Sequence, residues 1–229
     1  MNKQMTRITF LIAIVIFLVF LTFVTALQGQ HFLLFSFICL IASVIPFYWK
    51  FESSALKARE VVFLAVLIAI AAVSRVPFVI IPNVQPTSFV IITAGAVLGP
   101  ESGFIIGSTV ALTSNMFLGQ GPWTPWQMFA WGMMGMTAGL LKNTPLVNHK
   151  YAMVLFGFVW GFVFGWIMDL WYLVAYINPL NFKAMLLTFL GTGYFDLLHA
   201  LSNVFFLLIF YNSWKKTITR FKIKYGLLD

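Results

Sequence analysis

Between residues 8 and 213 the chain is apolar in one long run after another, at about 8–27, 32–49, 60–80, 88–99, 102–118, 127–141, 151–176 and 192–213. A helix needs about 20 apolar residues to cross a bilayer, at 1.5 Å per residue. Most of these runs meet that length unaided. Inside lipid every backbone N–H and C=O must be paired within the protein, which leaves helices and closed barrels as the only spanning structures. Runs of this length point to helices. Composition agrees: 61% of the residues are hydrophobic and 9% charged, whereas a soluble domain carries about a quarter charged residues. The expected fold is all-α, a polytopic membrane helix bundle.

The runs 88–99 and 102–118 are short, and "GPESG" lies between them with Pro100 suited to the first turn of a helix. They read as a helix pair whose first member is too short to span without its neighbours. The single cysteine, Cys39, sits in an apolar run and excludes a disulfide framework or a cysteine-ligated metal cluster. No metal site or covalently bound cofactor is expected.

A net charge of +8 at first suggests nucleic acid, but the placement of the basic residues argues for topology instead. With eight crossings and a cytoplasmic N-terminus, the inner segments hold Lys3, Arg7, Lys50, Lys57, Arg59, Lys142, Lys150, Lys215, Lys216, Arg220, Lys222 and Lys224, which is 12 of the 14 basic residues. Only Arg75 and Lys183 face outward, as the positive-inside rule requires. The expectation is a multi-pass plasma-membrane protein with both termini cytoplasmic, its basic tail near anionic lipid, and no nucleic-acid partner. The first 28 residues also carry a basic start and Val24 and Ala26 placed as at a signal-cleavage site. Their apolar core exceeds the usual signal length, so an uncleaved span is expected.

Polar residues collect on one side of this arrangement. "SRVPFVIIPNVQPTSFVI" (74–91) contains Arg75, Asn83, Gln85 and Thr87 between two apolar runs. Pro82 and Pro86 each push the preceding residue toward extended backbone, and irregular backbone at membrane depth is tolerated only against protein or a cavity. "SNMFLGQGPWTPWQ" (114–127) brings Asn115, Gln120, Trp123, Trp126 and Gln127, with Trp131 one turn further on. "MDLWYLVAY" (168–176) brings Asp169, Trp171, Tyr172 and Tyr176, and "GTGYFDLLHALSN" (191–203) brings Tyr194, Asp196, His199 and Asn203. Amide, aromatic and ionisable groups from four segments match the lining of a small-molecule pocket. Each has a plainer reading. Trp and Tyr gather at membrane interfaces anyway, Arg75 has Asp169 and Asp196 as candidate ion-pair partners, and His199 alone is commonly a hydrogen-bonded core residue.

Small residues four apart, Gly99/Gly103/Gly107, Gly135/Gly139 and Gly157/Gly161/Gly165, allow close approach of helices. Ala65 and Ala69 form another such patch, for a neighbouring helix or another protein. There is no GxxxxGK[ST], HExxH or GxSxG in the sequence, so no ATP site, zincin site or nucleophile elbow is expected.

The string "AVLIAIAAVSRVPF…IPNVQPTSFVIITAGAVLGPESGFIIGSTVALTSNMFLGQGPWTPWQMFAWGMMG" resembles the substrate-binding S components of energy-coupling factor (ECF) vitamin importers, nearest the cobalamin-type branch, over about residues 60–213. The resemblance implies a six-helix S-component core at 60–214, preceded by two N-terminal transmembrane helices and a linker (1–59) and followed by a basic tail (215–229). It implies capture of a vitamin at the outer face, with cobalamin or a related corrinoid first and a flavin, pterin or cobalamin precursor also suited. Delivery would use a membrane T subunit and two ATPases, with Ala65 and Ala69 on the T-subunit contact and residues 80–88 covering the ligand. The expected substrate-binding residues are Arg75, Asn83, Gln85, Thr87, Asn115, Gln120, Trp123, Trp126, Gln127, Trp131, Asp169, Tyr172, Tyr194, Asp196 and His199, with Trp123 and Trp126 stacking on a flat ligand. Two rivals remain at this level: an integral-membrane enzyme using Asp169, Asp196 and His199 for acid–base work, and a self-sufficient transporter.

Overall fold

The computed structural model describes residues 57–177, 179 and 181–227, together with 15, 38, 41, 42, 44–49 and 52. From residue 58 onward it contains six α-helices: α1 (Ala58–Val73), α2 (Thr87–Leu98), α3 (Pro100–Leu118), α4 (Thr124–Leu140), α5 (Lys150–Tyr176) and α6 (Phe182–Tyr225). Short 3-10 turns occupy Val76–Phe78 and Pro145–Asn148. The expected first span at 8–27 lies outside the described residues, as does most of the second. Residues 44–49 are helical and packed on α3: Phe47 stacks on Phe104 with centroids 3.7 Å apart, and the Tyr48 hydroxyl shares hydrogen bonds with Thr109 Oγ1 (2.7 Å) and Ser108 Oγ (3.1 Å).

Among the described residues, three helical segments are long and apolar enough to cross a membrane: Ala58–Phe78, Lys150–Tyr176 and Phe182–Tyr225. The short member of the expected pair is α2, whose 12 residues rise only about 18 Å and are all buried. It packs against every one of the other five helices. Its apolarity therefore serves the protein interior rather than lipid. The turn to α3 uses Gly99 at φ 112° with Pro100 following in the first helical turn, a backbone position at which an L side chain would be strained.

Two tight pairs complete the bundle. In α3–α4, a Cβ added to Gly103 would lie 2.6 Å from the Gly135 carbonyl carbon, and one on Gly107 would lie 2.5 Å from that of Trp131. In α5–α6, a Cβ on Gly161 would lie 2.5 Å from the Ala200 amide nitrogen. The glycine ridges thus bring backbones together, as their spacing predicts. The last helix departs from expectation at both ends. It starts at Phe182 rather than near 192, because Asn181 caps it by accepting the Ala184 amide (2.8 Å), and Gly191 and Gly193 are carried inside it. It also runs past residue 214 to Tyr225, stopping at Gly226 in the left-handed conformation (φ 53°).

Candidate functional site

The C-terminal end of α1, the loop after it, the α3–α4 turn and the adjoining ends of α5 and α6 come together at one end of the bundle. Arg75 is the hub. Its Nε donates to Gln85 Oε1 (2.9 Å), and its Nη1 donates to Asn115 Oδ1 (3.0 Å) and to Ser114 Oγ. Its guanidinium lies 4.8 Å from the centroid of the Trp131 ring, a cation–π contact. Among the described residues Arg75 meets no carboxylate. The guanidinium is instead held on neutral oxygens and an aromatic face.

The network continues in two directions. Asn115 Nδ2 donates to Gln127 Oε1 (2.7 Å) and Thr124 Oγ1 (3.1 Å), and Thr124 Oγ1 donates to Gln120 Oε1 (2.9 Å). Gln120 Nε2 closes the turn by donating to the Leu112 carbonyl (2.9 Å). On the other side of the ring, Trp131 Nε1 donates to Ser88 Oγ (3.2 Å), which shares a 2.8 Å hydrogen bond with His199 Nε2. His199 is fully enclosed, with the Phe164 ring edge-on to it at 4.9 Å. Four helices are therefore linked through polar side chains at one level.

The loop is tied down from above. Asn83 adopts the left-handed region (φ 57°), which asparagine tolerates better than most residues, and its Nδ2 donates to the Phe195 carbonyl of α6 (3.1 Å). Ser202 Oγ accepts from the Gln85 amide (3.0 Å) and donates to the Gln85 carbonyl (3.2 Å). Thr87 points elsewhere: its hydroxyl donates to the Ala71 carbonyl (3.0 Å), closing the end of α1.

Asp169 and Asp196 form a second cluster between α5 and α6. Asp169 Oδ2 accepts from Thr192 Oγ1 (2.7 Å). Asp196 is 3% exposed, its carboxylate packs on Gly165, and its Oδ2 has no hydrogen-bond partner. The two carboxylates act on each other electrostatically, and neither forms an ion pair among the described residues. Further along α5, Trp171 meets Trp123 edge-on at 5.8 Å and Tyr176 at 5.7 Å. The Trp171 indole N–H, buried, also lacks a partner.

Several expected residues stand apart. Trp126 is completely buried and offers no face to a ligand from outside; Trp171 takes the position beside Trp123. Tyr172 (44% exposed) and Tyr194 (66% exposed) lie at the surface, each against a neighbouring ring, Tyr176 and Phe195. The residues that sequence reasoning passed over are the hydroxyls Ser88, Ser114, Thr192 and Ser202. Nothing marked them, since Ser and Thr in helices usually bond back to their own carbonyls.

A family model described as "ECF-type riboflavin transporter, S component" matches residues 55–211, well over half of the 229-residue chain. The chain belongs to the ECF S components. No curated protein matches it, and no solved structure does. S components are membrane subunits of transporters rather than enzymes, and they bind a vitamin while partnered with a T subunit and ATPases. The family model is named for riboflavin and not for the cobalamin branch that the sequence resembled. In this S component the matched region runs from the linker before α1 to Tyr211 of α6 and takes in both polar clusters.

Proposed function

We propose that this S component captures a flavin, riboflavin or a close analogue, at its Arg75 end and passes it to a T subunit and two ATPases. That end faces outward in this reading, because the opposite end carries Lys57, Arg59, Lys142, Lys150, Lys215 and Lys216. Both termini then lie in the cytoplasm. The observation that carries the proposal is the state of the charges: one guanidinium resting on amides and two carboxylates without a cation, all at one end. Such groups are costly within a membrane and typically mark a substrate path.

Asp196 Oδ2 suits a ring N–H or hydroxyl donor, the Trp171 N–H suits a carbonyl acceptor, and Trp123 and Trp171 suit a planar ring. A flavin offers all three. The corrinoid reading rested on a wide, amide-rich opening. Asn115, Gln127 and Gln85 are instead engaged with one another and with Arg75, which favours the smaller ligand.

Titration of the purified full chain with riboflavin, followed by tryptophan quenching, should give saturable 1:1 binding with the vitamin recovered unchanged. Binding of cobalamin but not riboflavin would overturn the substrate assignment, and conversion of the vitamin would point to an enzyme. Uptake by the chain alone in vesicles would favour a self-sufficient transporter. Ala65 and Ala69 are exposed on α1, in keeping with a T-subunit contact there. Ala69→Trp should abolish transport by the assembled complex and leave riboflavin affinity unchanged; weakened binding would count against that role.

A further inference from the structure

At the basic end, α1 and the last turns of α6 leave an open groove of about 560 Å³. Its walls are Val62, Val66 and Ile70 from α1 and Trp214, Ile218 and Phe221 from α6, with Arg59 at its mouth. We propose that this groove holds one anionic phospholipid, its acyl chain along the walls and its phosphate at Arg59.

Dimension, charge and level in the bundle support this occupant. From Arg59 to Ile70 the helix rises about 16 Å, which is half of a hydrocarbon core of about 30 Å and so the depth of one leaflet. The groove's two ends differ in kind. Toward Ile70 the lining carries no charge, with Trp214 and Ser213 facing it from α6, whereas at the mouth Arg59 gives one N–H to the Gly226 carbonyl (3.3 Å), beside Tyr225. The neighbouring turns of α6 add Lys216, Arg220, Lys222 and Lys224 and no acidic residue. Glu60, next to Arg59, is buried and accepts the Lys57 amide (2.7 Å), so its carboxylate is directed to the start of α1. Lys215 reaches the Val147 carbonyl (2.9 Å) and Asn148 Oδ1 (2.7 Å), fixing the level at which α6 passes the loop between α4 and α5. Below that level an aromatic and basic lining matches a headgroup zone, where Trp, Tyr and cations gather.

The groove borders the alanine patch. At about 100° per residue, positions 59, 62, 66 and 70 share one flank of α1. Ala65 and Ala69 are centred about 85° around the helix from that flank, Ala69 only about 20° from Val62, and the buried Leu64, Leu67 and Ala71 lie on the far side. Val62 and Ala69 stand side by side where the groove meets the alanine flank.

Native mass spectrometry of the full chain, with phosphatidylglycerol or phosphatidylcholine added to the detergent, tests this. One phosphatidylglycerol should be retained, about tenfold more tightly than phosphatidylcholine. Arg59→Gln should erase that preference, and Val66→Trp should expel the lipid, whereas Ala65→Trp should do neither. Thermal melts of each variant check that the fold is intact. Equal retention of the two lipids, or indifference to both groove substitutions, would overturn the proposal. So would efficient cross-linking of Val66→Cys to the T subunit, or to the segment before residue 57, since either would then own the groove.

Discussion

The α3–α4 seam and the α5–α6 seam are both closed by glycines, but they end differently at the Arg75 level. Above Gly103 and Gly135, the first seam runs into Ser114, Asn115, Gln120, Thr124 and Gln127, and each of these side chains has a hydrogen-bond partner. Above Gly161 and Ala200, the second seam runs into Asp196, whose Oδ2 is sealed from solvent without a donor. Lower down, Asn203 gives its Nδ2 to the Gly157 carbonyl (2.9 Å) and leaves its Oδ1 unmatched. Leaving a buried polar atom unmatched costs about 1–3 kcal/mol. A seam whose amide and hydroxyl side chains are paired with one another is fitted to hold its shape, and one that buries an unmatched carboxylate oxygen is fitted to receive a partner. On this reading α3–α4 is the frame and α5–α6 the receptor.

The largest effect should come from breaking the frame. Gly135→Ala places a methyl group against the Gly103 backbone, which cannot turn aside. Its cost should exceed the 1–3 kcal/mol, roughly, of ordinary overpacking. At Gly157 the nearest atom is the flexible Leu207 Cδ1. There the gain of about 1 kcal/mol in helix propensity should offset most of the strain. Melting curves of the two variants in detergent should separate widely; equal midpoints would remove the distinction between the seams.

Arg75→Ala comes next. It removes three charge-assisted hydrogen bonds and strands Gln85, Ser114 and Asn115, each such bond being worth about 1.5–3 kcal/mol. If the hub sets the position of the loop and of Trp131, riboflavin affinity should fall by roughly 10–100-fold. Arg75→Lys should rescue little, because a single ammonium cannot reproduce the planar fork that reaches Gln85 and Asn115 at once. Full rescue by lysine would show that charge alone matters there.

Asp196→Asn probes the receptor seam, and its two readouts should move in opposite directions. Removing an unpaired buried carboxylate should leave the melting midpoint level or raise it. Exchanging a charged acceptor for a neutral amide, with an NH2 in place of one oxygen, should weaken riboflavin by about tenfold. A variant that melts earlier and binds normally would make Asp196 a structural residue and leave the two seams equivalent.

Much of this architecture could be read from residue order, and the failures share one cause. The apolar runs and the glycine spacings give the second to fifth helices nearly as found, and α1 stops at Val73, short of the expected 80. The last helix begins at Phe182, ten residues ahead of the 192–213 run, because Asn181 supplies the cap and Gly191 and Gly193 are carried within the helix. The plainer reading of Arg75, an ion pair with Asp169 or Asp196, is not what the structure shows: its guanidinium is held by Gln85, Ser114 and Asn115. On its other face the guanidinium meets Trp131, which leads to Ser88 and His199. Thr87 was grouped with the site from its place in a polar loop, although its hydroxyl serves the end of α1. Sequence distance shows which polar groups share an end of a bundle, but pairing depends on side-chain direction, which packing decides.

The smallest expected effect concerns the loop that joins frame to receptor. Asn83 holds a left-handed backbone and reaches the Phe195 carbonyl on α6, whereas Gln85, two residues on, holds Arg75. Asn83→Ala would lose one hydrogen bond, about 1 kcal/mol net, and add a left-handed alanine, about 1–2 kcal/mol. Asn83→Gly would lose only the hydrogen bond. If the loop covers the ligand, riboflavin should leave faster from both variants, and more so from the alanine variant, with association little changed. Stopped-flow dissociation measures this directly. A change confined to association would mean that the loop guards entry, and the link from Asn83 to α6 would then belong with the frame.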